Sequence, residues 1–189
     1  REANWQAISS AIKRLSAKEQ KNFRWQYWLA ASKAQNGKKS EALKEYSQLA
    51  QNRSFYGFLA ADKVDMPYNF QNIPLAPDNA SFLAVQQNPG IKRAREFYLL
   101  GRTIDARREW YFTTRKQMNN DERAIAAKVA QQWGWYNRAI ITMAHTDQRN
   151  DIKLRFPLVQ QERVKKYSKQ QKLQPAYTMA VIRRESAFA

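Results

Sequence analysis

Apolar residues recur at helical spacing along most of the chain, and no segment alternates as a half-buried strand would. The stretch Trp25–Ser32 follows the i, i+3, i+4, i+7 pattern of an amphipathic helix. We expect Gly37 to end this helix in the left-handed conformation that suits glycine. Ser40 and Ser54 are predicted to cap the next two helices by accepting a backbone hydrogen bond. The pattern predicts an all-α fold.

The segment Met66–Gly90 differs because it contains four prolines and several asparagines. Proline is excluded from helix interiors, so we expect a domain boundary here, with one short helix at Ser81–Gln87. Pro157 and Pro175 are each predicted to open a later helix, because proline is tolerated in the first turn. The remaining predicted helices are Ile91–Leu100, Thr103–Lys116, Asp121–Gln132 and Asn137–His145.

A weak internal repeat accompanies these helices. Three glycines each close an aromatic-rich stretch and stand five residues before an alanine: Gly37 before Ala42, Gly101 before Ala106, and Gly134 before Ala139. The spacings between the glycines, 64 and 33 residues, are close to two periods and one period of a helix-pair repeat. Chance alignment of small residues is the alternative, since Leu43 aligns with Arg107. The repeat predicts stacked helix pairs.

The chain is strongly basic, with 33 Lys and Arg against 16 Asp and Glu and a net charge of +17. Such a charge predicts an acidic partner: nucleic acid, an anionic membrane surface, or an acidic polymer such as peptidoglycan. A solvated basic surface is the simpler interpretation. Cysteine is absent, which excludes disulfides, thiol nucleophiles and Cys-based metal sites. The sequence starts with Arg1 rather than Met, and we expect a mature or excised fragment.

The candidate catalytic group is Glu185, near the end of the last apolar helical run. Val181 and Ile182 stand four and three residues before it and therefore share its helix face. Partial burial there would disfavour the carboxylate and favour the protonated form that a general acid needs. A solvated glutamate near a helix C-terminus is the ordinary alternative.

The segment Glu185-Ser186-Ala187-Phe188, with the helix Pro175–Arg184 before it, resembles the segment that bears the catalytic glutamate of soluble lytic murein transglycosylases. The resemblance extends along most of the chain in the family's order. It includes Arg24–Trp28 and Ser54–Ala61 of the superhelical domain, Arg93–Glu96 and Gln131–Trp135 of the linker domain, and Arg155–Leu158 at the start of the lysozyme-like domain.

The resemblance implies a chemistry for Glu185. The glutamate would protonate the glycosidic oxygen between N-acetylmuramic acid and N-acetylglucosamine, and then accept a proton from the C6 hydroxyl that attacks C1. The product would be a 1,6-anhydro ring, so a second carboxylate is unnecessary. Ser186 matches the serine that supports the cleft and is a candidate substrate-binding residue. No cofactor and no metal are implied.

The resemblance also implies a setting: peptidoglycan glycan strands as partner, the periplasm as location, no nucleic acid, peripheral contact with cell wall or membrane, and a monomer. The implied domains are the end of a tetratricopeptide-like superhelix at 1–70, a Pro-rich connection at 71–90, a helical linker domain at 91–155, and the first helices of a lysozyme-like domain at 156–189. The family's later Gly-Leu-Met-Gln and Asn-Ala-Gly motifs have no counterpart before Ala189. We therefore expect this polypeptide by itself not to catalyse.

The rival interpretation is a non-enzymatic, basic helical-repeat scaffold that binds nucleic acid or a partner protein. Basic clusters at Arg107-Arg108, Arg163–Lys166 and Lys169–Lys172 suit either hypothesis. Strong, salt-sensitive binding to DNA without binding to murein sacculi would favour the scaffold. His145 is interpreted as a surface residue at a helix end, and the Trp133–Tyr136 cluster as helix-packing core rather than a sugar platform.

Overall fold

The computed structural model describes residues 4–189, so the first three residues of the predicted first domain lie outside the description. Within that range the chain is all-α, as predicted, and contains no strand. It divides into two compact units, one ending at Gln71 and the other covering Asn72–Ala189. No helix of the described range is both long enough and apolar enough to span a membrane.

The first unit contains α1 (Trp5–Lys13), α2 (Ala17–Gln20), α3 (Phe23–Gln35), α4 (Lys39–Ala50) and α5 (Phe55–Val64). Helix α3 packs against α1 and α4, and α4 packs against α5. Its core includes Tyr27 and Tyr46, whose ring centroids are 5.5 Å apart. Burial of the phenol raises the pKa of Tyr46 to about 12. Consecutive helices thus share one aromatic core.

One of the two predicted serine caps in this unit is confirmed, and the other is wrong. The Ser54 hydroxyl accepts a hydrogen bond from the Gly57 amide at 3.0 Å and caps α5. Ser40 lies inside α4, which begins at Lys39 without a side-chain cap. The glycine turn just before α4 already sets the direction of the chain, so this helix begins before Ser40 could cap it.

The second unit contains α6 (Asn79–Gln87), α7 (Pro89–Leu99), α8 (Thr103–Phe112), α9 (Asn120–Gln132), α10 (Tyr136–Ala144), α11 (Ile152–Arg155), α12 (Gln161–Gln170) and α13 (Pro175–Ser186). A π-helical turn, Thr113–Gln117, follows α8. Helices α7 and α8 pack together, as do α9 and α10. A large hydrophobic core lies among these four helices.

Trp110 is at the centre of that core and is 2% exposed. Its indole N–H donates to the Thr142 hydroxyl at 2.8 Å, which joins α8 to α10. Trp135 packs edge-on against it, with ring centroids 5.4 Å apart, and stacks on Tyr98 at 4.6 Å. The interpretation of Trp135 as core rather than as a sugar platform is therefore confirmed.

The same turn connects three pairs of helices. Gly37, Gly101 and Gly134 all have positive φ, at 83°, 71° and 76°. After each one, the next amide donates back to a carbonyl of the preceding helix at 2.9 Å, which is the Schellman arrangement. The alanine five residues after each glycine is at most 1% exposed. This geometry favours a repeated helix-pair unit over chance alignment of small residues.

Four predicted boundaries of the second unit are wrong by two residues or more. Helix α6 begins at Asn79 rather than Ser81, because the Asp78 side chain caps it by accepting from the Ser81 amide at 2.8 Å. Helix α7 begins two residues earlier than expected, because the Asn88 side chain caps it by accepting from the Gly90 amide at 2.9 Å. The predicted helix Thr103–Lys116 is helical only to Phe112 and continues as the π-helical turn. Pro157 does not start a helix; it lies in the loop before α12. Phe156, which precedes that proline, has the φ of −132° that proline favours in its neighbour.

The Pro-rich segment packs against the second unit from Asn72 onwards. The Asp151 carboxylate accepts from the Leu75 amide and, as the cap of α11, from the Leu154 amide, both at 2.9 Å. The Lys128 ammonium donates to the Leu75 carbonyl. Side chains far apart in sequence therefore fix a segment that has little regular structure of its own.

The repeated turn predicts the cost of a side chain at Gly101. We expect Gly101→Ala to lower the free energy of unfolding by about 1 kcal/mol, because an L-residue is strained at this positive φ. A Cβ there would contact nothing within 4 Å, so the loss of stability would come from backbone strain alone. Gly101→Asn is the matched control and should cost less, since asparagine tolerates this conformation better. Equal stability of all three proteins in chemical denaturation would contradict this account.

Candidate active site

Helix α13 carries both predicted site residues in its last turn. Pro175 occupies its first position, as predicted, where the missing N–H costs no hydrogen bond. The helix ends at Ser186, and Ala187 adopts a left-handed φ of 48°. Glu185 therefore lies one residue before the end of a twelve-residue helix.

Three hydrogen bonds attach α13 to the rest of its unit. Ser168 donates its hydroxyl proton to the Thr178 hydroxyl at 2.9 Å, near the start of the helix. Arg183 donates from Nε to the Arg155 carbonyl at 3.0 Å. Asn137 donates from Nδ2 to the Ser186 carbonyl at 3.1 Å. Partners on α12, α11 and α10 thus hold the start, the later part and the end of α13.

The Arg183 side chain also packs on an aromatic ring. Its guanidinium carbon lies 4.3 Å from the centroid of Phe156, within the range of a cation–π contact. Partial burial lowers the pKa of Arg183, although the group stays charged at neutral pH. This contact holds the loop before α12 against α13.

The Glu185 side chain is exposed. It has no hydrogen bond or ion pair to any residue between 4 and 189. Val181, on the same face, is also exposed, because nothing in the described chain packs over this side of α13. The partial burial expected for Glu185 is therefore not provided by these residues, and the carboxylate is free for an external partner.

The Ser186 hydroxyl is occupied within its own helix end. It donates to the Ile182 carbonyl at 2.9 Å and accepts from the Phe188 amide at 3.1 Å. These bonds satisfy two backbone groups at a helix terminus. Ser186 thus stabilises the backbone of the turn in which Glu185 lies.

A groove of about 380 Å³ lies between α12 and α13 and ends one turn before Glu185. Its walls include Tyr167, Leu173, Thr178 and Ile182. Arg163, Lys166 and Lys169 on α12 are exposed. The groove next to Glu185 is therefore largely apolar, and Arg163 adds a positive charge to its wall, which suits an anionic ligand.

No cluster of three or more histidine or acidic side chains within residues 4–189 could hold a metal ion. His145 is exposed at the C-terminal end of α10, where sequence reasoning placed it. Partial desolvation of the ring, followed by the charges of Arg115, Arg123 and Arg149, lowers its pKa. His145 lies far from α13 in sequence, and no hydrogen bond joins its side chain to that helix.

Sequence reasoning missed Asn137. It is 7% exposed, near the start of α10, and contacts Ser186 across 49 positions of sequence. No periodicity or motif marks a contact between residues so far apart. Only the packing of α10 against the end of α13 reveals it.

Known proteins that this chain resembles in sequence are described as soluble lytic murein transglycosylases. Residues 84–152 match the family described as the soluble lytic murein transglycosylase L domain. The soluble lytic murein transglycosylase of Escherichia coli K12 is 28% identical over 181 residues, which is 96% of this chain and 28% of that protein. The corresponding protein of Salmonella typhimurium is 27% identical over 96% of the chain and 28% of its own length.

Solved structures agree. The 70-kDa soluble lytic transglycosylase of E. coli superposes with a TM-score of 0.85 at 27% identity, over 97% of this chain and 29% of that one. An inactive glutamate-to-glutamine mutant of the Pseudomonas aeruginosa lytic transglycosylase Slt superposes with a TM-score of 0.82 at 33% identity, over 97% of this chain and 30% of that one.

These likenesses define the class of the chain: it is an all-α relative of the lytic transglycosylases. More particularly, it is similar over 96% of its length to soluble lytic murein transglycosylases, and residues 84–152 match that family's L domain. The chain spans less than a third of the length of the relatives it matches.

The attachment of α13 predicts different effects for two adjacent arginines. We expect Arg183→Ala to lower the free energy of unfolding by about 1–2 kcal/mol, because it removes a hydrogen bond to Arg155 and the contact with Phe156. Arg184→Ala removes the same charge from an exposed position and should change it by less than about 0.5 kcal/mol. Thermal denaturation followed by circular dichroism compares the two. Equal losses would show that net charge, not attachment, matters here.

Proposed function

We propose that this chain is part of an enzyme that cleaves peptidoglycan glycan strands between N-acetylmuramic acid and N-acetylglucosamine without water. The observation that carries the proposal is the exposed Glu185 of the Glu185-Ser186-Ala187-Phe188 motif, at the end of α13, in a chain related along its length to lytic transglycosylases. Glu185 is the proposed acid and base.

The proposed reaction needs one carboxyl group. Glu185 donates its proton to the glycosidic oxygen as the bond to C1 breaks. The C6 hydroxyl of the muramic residue then bonds to C1, and its proton passes to the Glu185 carboxylate. The product is a 1,6-anhydromuramoyl end, and Glu185 is restored to its acid form. The inactive P. aeruginosa mutant, in which one glutamate is replaced by glutamine, supports dependence on a single carboxyl group.

We propose that the 189-residue chain by itself does not catalyse. Glu185 is exposed on a face of α13 that no described residue covers. A general acid works best where low solvent access favours its protonated form, and an exposed carboxyl group lacks that environment. In the complete enzyme, further chain would close this face.

Ser186 would support the substrate cleft indirectly in this proposal. The hydrogen bonds of its hydroxyl with Ile182 and Phe188 define the end of α13. They thereby define the direction of the Glu185 side chain. The predicted domains, with a linker at 91–155 and a lysozyme-like start at 156–189, fit the change from paired helices to the more loosely attached α12 and α13.

The charge of the chain fits an anionic polymer. With +17 overall and exposed basic residues on α12, the surface would attract the carboxylates of peptide stems at distances of about 8 Å or less at physiological salt. We propose a periplasmic location, where peptidoglycan lies, with peripheral contact to the wall and a monomeric state.

The test is Glu185→Gln in the longest reading frame that contains this chain. We expect release of anhydromuropeptides from purified sacculi to fall by about 10²–10⁴-fold, because the amide cannot donate or accept the catalytic proton. Glu162→Gln, at an exposed position of α12, is the matched control and should digest sacculi normally.

Undiminished digestion by Glu185→Gln would refute the assignment of Glu185. Digestion of sacculi by the purified 189-residue chain would refute the proposed need for further residues. Separation of the soluble products by liquid chromatography with mass spectrometry reports both results.

A further inference from the structure

We propose that Asn137 is a positioning residue for Glu185, which it holds in place through the backbone of the last turn of α13. This inference rests on the proposed catalytic role of Glu185. The Asn137 side chain lies near the start of α10, inside the region matched by the L domain, and is 7% exposed. Its Nδ2 donates to the Ser186 carbonyl at 3.1 Å.

The partners of Asn137 define the orientation of its amide. Its Oδ1 accepts from Nε of Arg138 at 2.8 Å and also from Nη2 of the same guanidinium. A guanidinium can only donate and a carbonyl can only accept, so the opposite orientation would break the contacts on both sides. The Asn137 amide therefore accepts from Arg138 with its oxygen and donates to the end of α13 with its nitrogen.

The hydrogen bonds from Arg138 restrict the rotation of the Asn137 amide. The Arg138 side chain is partly buried, and burial, followed by the charge of Arg107, lowers its pKa. No carboxylate within residues 4–189 forms an ion pair with it. The Asn137 oxygen accordingly supplies the acceptor for a desolvated cation, and this strong contact holds the amide in place.

The Ser186 carbonyl belongs to the last residue of α13, where helix carbonyls need donors from outside the helix. The last four carbonyls of a helix have no intrahelical donor, so the final turn frays unless something binds them. Glu185 lies in this turn, one residue before the bound carbonyl. The Arg183 bond acts two residues before Glu185, and the Thr178 bond acts seven before it. The Ser186 carbonyl also accepts from the Ala189 amide at 3.0 Å within the terminal turn, so Asn137 is the contact that joins this end of α13, beyond Glu185, to another helix.

Asn137→Asp separates positioning from folding. The aspartate keeps an oxygen for Arg138 and adds a negative charge beside a partly buried cation, so the fold should be as stable as before or more so. It has no donor for the Ser186 carbonyl and repels that oxygen. Loss of function in this variant would come from the released helix end.

The first measurement uses the longest reading frame that contains the chain. We expect Asn137→Asp to lower kcat on murein glycan strands by about tenfold while KM changes less than about twofold and the melting temperature does not fall. Asn88→Asp is the matched control: Asn88 caps α7 with its oxygen alone, which aspartate also provides. A wild-type kcat in Asn137→Asp would overturn the proposal.

The second measurement uses the 189-residue chain and does not depend on activity. We expect amide hydrogen exchange at residues 184–187 to become about fivefold faster in Asn137→Asp, with residues 178–181 unchanged. Unchanged exchange at the helix end would overturn the positioning role. If the wild-type enzyme does not cleave murein, the proposed function fails, and this exchange result still decides whether Asn137 holds α13.

Discussion

Burial of the Trp110 indole is the interaction on which the second unit depends. Its N–H bond to Thr142 joins α8 to α10, and Trp135 packs edge-on against it and stacks in turn on Tyr98 of α7. An indole in a core must have a partner for its N–H, so this ring fixes the position of α10 as well as filling space. Because α10 carries Asn137, the same packing determines where the end of α13 is held.

The chain thus connects a rigid helical core to a sparsely attached helix that bears the candidate acid. Helix α13 has few side chains packed against it, and three hydrogen bonds along its length attach it to α12, α11 and α10. Its exposed face includes Glu185 and Val181. In the proposed enzyme this arrangement leaves the carboxyl group accessible to a long polymer while its backbone is held by the L domain.

The sequence predicted most of what local chemistry decides. Helical spacing predicted most of the helices, although not α1, α2 or α11, and the glycine-to-alanine spacing predicted turns that recur with the same backbone geometry at Gly37, Gly101 and Gly134. Predictions failed where distant contacts compete with local preference. Ser40 has the chemistry of a cap but follows a turn that already starts the helix, and Pro157 lies in a loop held by Arg183 on Phe156. Asn137 could not be found from sequence, because its partner is 49 residues away.

In the proposed reaction of Glu185, an internal hydroxyl group of the substrate replaces water. Digestion of sacculi in heavy-oxygen water by the longest reading frame that contains this chain tests it most directly. We expect muropeptides that are lighter by one water than hydrolysis products and carry no heavy oxygen at C1 of muramic acid. Incorporation of heavy oxygen at that carbon would show hydrolysis and contradict the account.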